Sequence, residues 1–307
     1  MEPKPDAKPD TKIGWSNAIA RWHAATSTHS QDGQTDPRIN RNVPGIFSIC
    51  ISLLVAIVIL WSPRVLASPL VERLEQFPDW QSKPPVSRVQ GDLEYPDWMA
   101  GTWTVTSTLT DMVAPLAPQL VTPGFEGNRQ YLDRPMSFSV RFQPQISRSR
   151  YRSTFPLPEP VVDSQPVVAD RQFNGTNIAR SYLGDKAILS VQVDPDDPNR
   201  QITALRGDRQ LISIVSGRSS ETPETDRFVA TELLNQVFRS SSQIYFNQVE
   251  STTAYHQLSP SQIEAEQVTA IYLSSQDPNY FKAGDRPVAL YRYRLILESE
   301  PIDRRQT

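Results

Sequence analysis

The chain is short of most side chains that enzymes and metalloproteins depend on. Its 307 residues include 1 cysteine and 3 histidines. Cys50 sits inside an apolar run, and His256 is the only histidine beyond that run. The rest of the chain therefore has no internal disulfide, no thiol nucleophile and no Cys–His pair. Zinc and iron sites draw on several His or Cys ligands, so a lone His256 reads as an ordinary strand residue. A Ser-His-Asp triad would need His256, and no nucleophile-elbow signature accompanies it. Charge of one sign is missing too. With 31 basic and 34 acidic residues the formal net charge is -3, which excludes a nucleic-acid footprint. These absences lead us to expect no catalytic residues, no metal and no cofactor.

Hydrophobic residues are scarce at 38%, and part of them lie in the apolar run. The remaining polar stretches must be tails or long loops. Proline is the outlier in the other direction, with 27 residues. It removes a backbone donor and breaks helix interiors, which argues against a helical bundle.

The run at 45–61 (GIFSICISLLVAIVILW) carries no charge, against about 20 apolar residues for a bilayer span. Arg38 and Arg41 precede it, while Arg64 and Arg73 after it are balanced by Glu72 and Glu75. The positive-inside rule then keeps the N-terminus in the cytoplasm and exports the chain beyond the run. Val65-Leu66-Ala67 fits a signal cleavage site. An uncleaved anchor, a cleaved signal and a start codon set too far upstream all remain open. Each puts the folded part outside the cytoplasm. Cys50 is not a lipoprotein cysteine, because most of the apolar run lies after it.

The organisation read from the sequence is a polar, disordered tail at 1–44 and a membrane anchor or signal helix at 45–62. A short helix and Pro-rich linker fill 68–94, an exported β domain spans 95–300, and a tail closes the chain at 301–307. Beyond Tyr95 the apolar period is two. Trp103, Val105 and Leu109 alternate with a threonine at every even position from 102 to 110, as a half-buried strand requires. Met136, Phe138, Val140 and Phe142 mark a second strand, and Ala187, Leu189, Val191 and Val193 an inward face of a third. Gly184-Asp185, Gly207-Asp208 and Gly284-Asp285 suit type II′ hairpin turns. Further strands are predicted near 176–183, 200–206, 209–216, 243–258, 263–273 and 288–299. In 226–239, Val229, Leu233, Leu234, Val237 and Phe238 fit a helix. The connections at 112–135 and 144–170 are long and Pro-rich. The fold class is thus all-β: an antiparallel barrel or sandwich of about eight to ten strands.

Gly101-Thr102-Trp103 at the head of the β region resembles the first-strand motif of calycins, the lipocalin group. The resemblance implies a closed barrel in which an arginine of the last strand, Arg292 or Arg294, packs across Trp103. These arginines share a face with Val288, Leu290 and Ile296, and if that face points outward the second anchor is lost. More widely, YPDWMAGTWTVTSTLTDMVAPLAP and QVTAIYLSSQDPNYF with RPVALYRYRL resemble an uncharacterised family of cyanobacteria and plant chloroplasts. That resemblance implies the thylakoid lumen or periplasm and a photosynthetic membrane, without an activity.

A barrel lined by Trp103, Phe138, Phe142, Tyr291 and Tyr293 would hold one apolar molecule, a pigment, quinone or lipid. The alternative is a non-enzymatic assembly or stability factor whose loops bind a photosynthetic membrane protein complex. Other features have plainer readings. Glu264 and Glu266 share a strand face and suit acid–base work or a solvated surface. Arg141, Arg148, Arg150 and Arg152 suit anionic head groups or a solvated edge. Aromatic-Pro-Asp-Trp occurs at Phe77 and at Tyr95, so Trp80 and Trp98 either fill grooves or cover the barrel mouth.

Overall fold

The structure, a computed structural model, describes residues 68–145 and 165–300. The tails at 1–44 and 301–307, the apolar run, and Arg148, Arg150 and Arg152 lie outside the described residues. Among the described residues no helix is long and apolar enough to cross a membrane.

One sheet of 12 strands dominates. The chain begins with helix α1 (Pro69–Glu75), then β1 (Ser87–Arg88), β2 (Glu94–Tyr95), β3 (Gly101–Val113), β4 (Pro135–Pro144) and β5 (Val167–Ala169). Helix α2 (Arg171–Leu183) comes next, then β6 (Ile188–Val193), β7 (Arg200–Leu205), β8 (Arg209–Glu224) and β9 (Arg227–Arg239). The last elements are β10 (Ile244–Ser259), β11 (Gln262–Leu273), helix α3 (Tyr280–Ala283) and β12 (Ala289–Ser299). Pairing is antiparallel throughout, in the order β2-β5-β4-β3-β12-β11-β10-β9-β8-β7-β6, with β1 added to β8. Gly217 permits that addition, because a Cβ there would collide with Val86.

The sheet curls. Tyr95 on β2 lies with its ring centroid 5.5 Å from that of Phe228 on β9, although 6 strands stand between them in the order. Only a strongly bent sheet brings those side chains together. The two end strands, β2 and β6, do not pair with each other. The expected closed barrel is therefore, in the described residues, a curled half-barrel.

Both sheet faces are covered over part of their area. Inside the curl, Trp103, Val105, Val140, Phe142, Phe228, Ile263 and Leu297 form the main core. Outside it, Leu70 and Leu74 of α1, together with Trp80, pack on Val229, Val268, Ala270, Tyr272 and Leu290. This second layer accounts for one departure from expectation. Residues 226–239, expected as a helix, form β9, paired with β8 on one side and β10 on the other. Phe228 and Ala230 face inward while Val229 faces α1. A strand buried on both faces loses its polar alternate positions, so its apolar spacing resembles that of a helix.

The converse error occurs at 176–183, expected as a strand. These residues lie in α2, whose first turn is capped by Asp170 accepting from the Phe173 amide at 3.0 Å. None of its residues is buried, so it shows no apolar stripe of helical period. Its contacts are polar instead. Asn174 accepts from the Arg141 amide at 2.6 Å and donates to the Arg141 carbonyl at 3.1 Å, while Ser181 donates to the Ser137 carbonyl at 3.0 Å. Helix α2 thus satisfies the part of the β4 edge that β5 leaves unpaired.

Two turns also differ. Gly184-Asp185 and Gly284-Asp285 come after helices α2 and α3 instead of forming hairpins. Gly207 and Asp208 do form the β7–β8 hairpin, with φ of 77° and 51°. Two consecutive positive φ values do not fit type II′, and the pairing of Leu205 with Arg209 leaves three residues in the loop. Alternation predicts Leu189 inward, yet a bulge between Ile188 and Ser190 turns it out, 62% exposed, and buries Ile188.

Candidate ligand-binding face

The inner face of the curl is built in layers across the strands. At one end Tyr95 packs on Phe142, Phe228 and Tyr255 with ring centroids 4.7, 5.5 and 6.4 Å apart. Trp103 is 2% exposed, and its indole donates to the Met99 carbonyl at 2.8 Å. Burial raises the Tyr95 phenol well above its usual range and pushes Tyr255 up to about 12. Both are neutral at any physiological pH.

Next come two polar rows fixed by strand register. Tyr293, Gln267, Thr253 and Ala230 lie side by side on β12, β11, β10 and β9. Beside them run Tyr291, Thr269, Ser251, Glu232 and, on β8, Arg218. Thr253 donates to Gln267 at 3.3 Å, Gln267 donates to Thr269 at 3.2 Å, and Asn128 donates to the Tyr291 hydroxyl at 3.0 Å. Ser107 lies within hydrogen-bonding reach of Tyr182 of α2. Beyond this belt Ala289, Ile271, Val249 and Leu234 restore an apolar layer.

An ionic cluster ties α2 to this face. Arg171, the first residue of α2, contacts Asp92 at 2.7 Å and Glu232 at 2.9 Å. Arg218 contacts the same Glu232 at 2.6 Å and Asp92 at 3.8 Å. Two guanidiniums thus meet two carboxylates, and the local charge is balanced. Burial opposes the Glu232 charge, but the two arginines overcome it and hold the carboxyl below its usual range.

Of the residues expected to line the interior, Trp103 and Phe142 are buried in the core, while Phe138, Tyr291 and Tyr293 are half-buried against it. Arg292 and Arg294 are not brought to Trp103. They point to the outer face, where Arg292 meets Glu266 at 2.7 Å and Arg294 meets Glu264 at 2.8 Å. Side chains alternate strictly along β12, so Tyr293 inward forces both arginines outward. The calycin second anchor is absent, and the paired Glu264 and Glu266 are ion-pair partners. These four residues and His256, 3.5 Å from Asp226, border an outer-face depression of about 380 Å³. Arg141 pairs with Asp170 at 2.6 Å and lies over the Phe173 ring.

Trp98 packs on the inner core with its indole donating to the Thr225 carbonyl at 3.1 Å. Trp80 is 1% exposed on the opposite face, stacked on Arg73. Sequence reasoning missed what Arg73 reaches. It donates to both Glu250 oxygens, at 2.6 and 2.8 Å, and to the Tyr272 hydroxyl at 3.0 Å. Glu250 is completely buried, as is its neighbour in the network, Thr231, bonded to Thr252 at 2.7 Å. Nothing in the surrounding sequence, Asn247-Gln248-Val249-Glu250-Ser251-Thr252, sets Glu250 apart from a solvated strand charge. Among the described residues no group of three or more His, Cys, Asp or Glu is placed to hold a metal ion.

The fold and this face define a half-barrel of antiparallel sheet with a layered inner surface. The chain belongs to an uncharacterised family: the model of the "Domain of unknown function (DUF6816)" matches residues 87–301. No curated protein and no solved structure matches it.

Proposed function

We propose that the protein is a non-enzymatic binding module whose inner face holds one small, mainly apolar molecule. One observation carries this reading. Phe138, Tyr291 and Tyr293 pack against the core inside the curl without being fully buried, and α2 crosses beside them without burying any residue of its own. A sheet interior filled by its own side chains would bury those rings fully. Half-buried aromatic walls beside a few polar groups are the usual lining of small-molecule sites. The resemblance to cyanobacterial and chloroplast proteins supports a place at a photosynthetic membrane, on the lumenal or periplasmic side. The apolar run 45–61 would act there as anchor or signal. A pigment, quinone or lipid is then the ligand.

A second reading is supported by Phe281, which is 92% exposed at the tip of α3. An aromatic held so far out of the core suits an anchor for a protein partner, as an assembly or stability factor for a membrane complex requires. Purification of the full chain from its native membrane, solvent extraction, absorption and mass spectrometry decide between the two. A stoichiometric apolar compound is the expected result. A ligand-free protein that co-purifies with a photosynthetic complex overturns the first reading in favour of the second.

A further inference from the structure

The polar belt across the inner face is unusual for a site that takes a purely apolar molecule, and its bonding state points one way. The oxygens of its carboxylate and amide are already engaged. The Glu232 oxygens take Arg171 and Arg218, and the Gln267 oxygen takes Thr253. Its donors are not. Thr269 and Tyr291 each accept a bond, from Gln267 and Asn128, which leaves their own O–H groups to give. Among the described residues the Tyr293 and Ser251 hydroxyls find no hydrogen-bond partner of either kind, and both side chains are half-buried.

Resting on the binding-face reading above, we infer that the molecule held there is uncharged and carries a carbonyl oxygen, as a ketone, ester or quinone does. That oxygen lies against the hydroxyls of Tyr293, Ser251 and Thr269, and the apolar parts of the molecule lie on the layers at either side. Two arguments fix the class. A row of unspent donors needs an acceptor, and a carbonyl is the acceptor that brings no competing hydrogen. A carboxylate or phosphate is disfavoured because both nearby guanidiniums are matched by Asp92 and Glu232, and an anion buried without a countercharge is costly. Burial also raises the Tyr293 phenol above its usual range, so it is a donor at all physiological pH.

The test uses the full chain in a non-ionic detergent and three probes of one shape: cyclodecanone, cyclodecane and cyclodecanecarboxylate. Affinities are read by equilibrium dialysis with gas chromatography, and circular dichroism checks that each variant is folded. We expect the ketone to bind about three- to tenfold tighter than the hydrocarbon, the range of one or two neutral hydrogen bonds. Tyr293→Phe should remove most of that advantage. Ser251→Ala should act in the same direction. Tightest binding by the carboxylate, or a ketone advantage intact in both variants, overturns the inference while the binding face stands. No binding of any probe overturns the binding-face reading itself.

Discussion

The Arg73–Glu250 pair makes a quantitative prediction about how the segment before the sheet is attached. Glu250 is 0% exposed and accepts four bonds: two from Arg73 at 2.6 and 2.8 Å, one from Tyr272 at 2.6 Å and one from Thr252 at 2.8 Å. Arg73 is 8% exposed and stacks over Trp80 with its guanidinium carbon 3.9 Å from the ring centroid. Burial alone would depress the Arg73 pKa, and the Glu250 carboxylate reverses that. Glu250→Gln leaves a buried guanidinium facing an amide, and breaking a buried pair from one side costs about 3–5 kcal/mol. Replacing both partners, with Arg73→Met and Glu250→Leu together, removes the charges and should cost less than Glu250→Gln alone. It will not be free, because the Arg73 bond to the Ser82 carbonyl at 2.8 Å is lost as well. Urea unfolding monitored by near-ultraviolet circular dichroism, where buried Trp80 reports, measures Glu250→Gln, the double variant and its two single replacements. If the double variant loses the sum of its single losses, the two residues are not coupled and the reasoning fails.

Three further outcomes are expected. Arg171→Met should cost about 1–3 kcal/mol and raise amide hydrogen exchange in α2 before the rest of the domain, since Asp92 and Glu232 hold its first residue; unchanged exchange in α2 refutes the tie. Tyr255, pushed up to about 12, and Tyr293, raised by burial, bind their protons more tightly folded than unfolded, where the ordinary value is about 10. Their contribution is therefore complete below about pH 10 and is lost as pH rises through the folded values, so stability should fall in that window, and Tyr255→Phe should flatten the fall; an equally steep fall in the variant contradicts this. Phe281→Ser should leave the melting curve unchanged within about 0.5 kcal/mol, because the ring is 92% exposed; a larger loss means that the ring supports the fold.

What the sequence by itself determined is the set of elements with one covered face. Strand β3 shows its threonines on the outer side and Trp103, Val105 and Leu109 inside, and period-two alternation is enough to read it. The same holds for β4, whereas for β12 the alternation shows a strand and only the structure puts Tyr291 and Tyr293 inward and Arg292 and Arg294 outward. The pattern failed where a second layer intervened. Helix α1 and Trp80 cover the outer face of β9, and the apolar residues this adds erased its alternation. In α2 the failure was of the other kind, since a helix that serves a strand edge through Asn174 and Ser181 has no apolar stripe to show. Of the inner face, the aromatic residues were legible because their type and period announce them. The polar belt was not. Thr269, Ser251, Glu232 and Arg218 are separated along the chain and become neighbours only through register. Arg73 and Glu250 stand 177 residues apart, and each alone reads as a solvated charge. Only the tertiary structure decides that they are partners, because burial is what turns a charge that water would satisfy into one that must find its counter-charge.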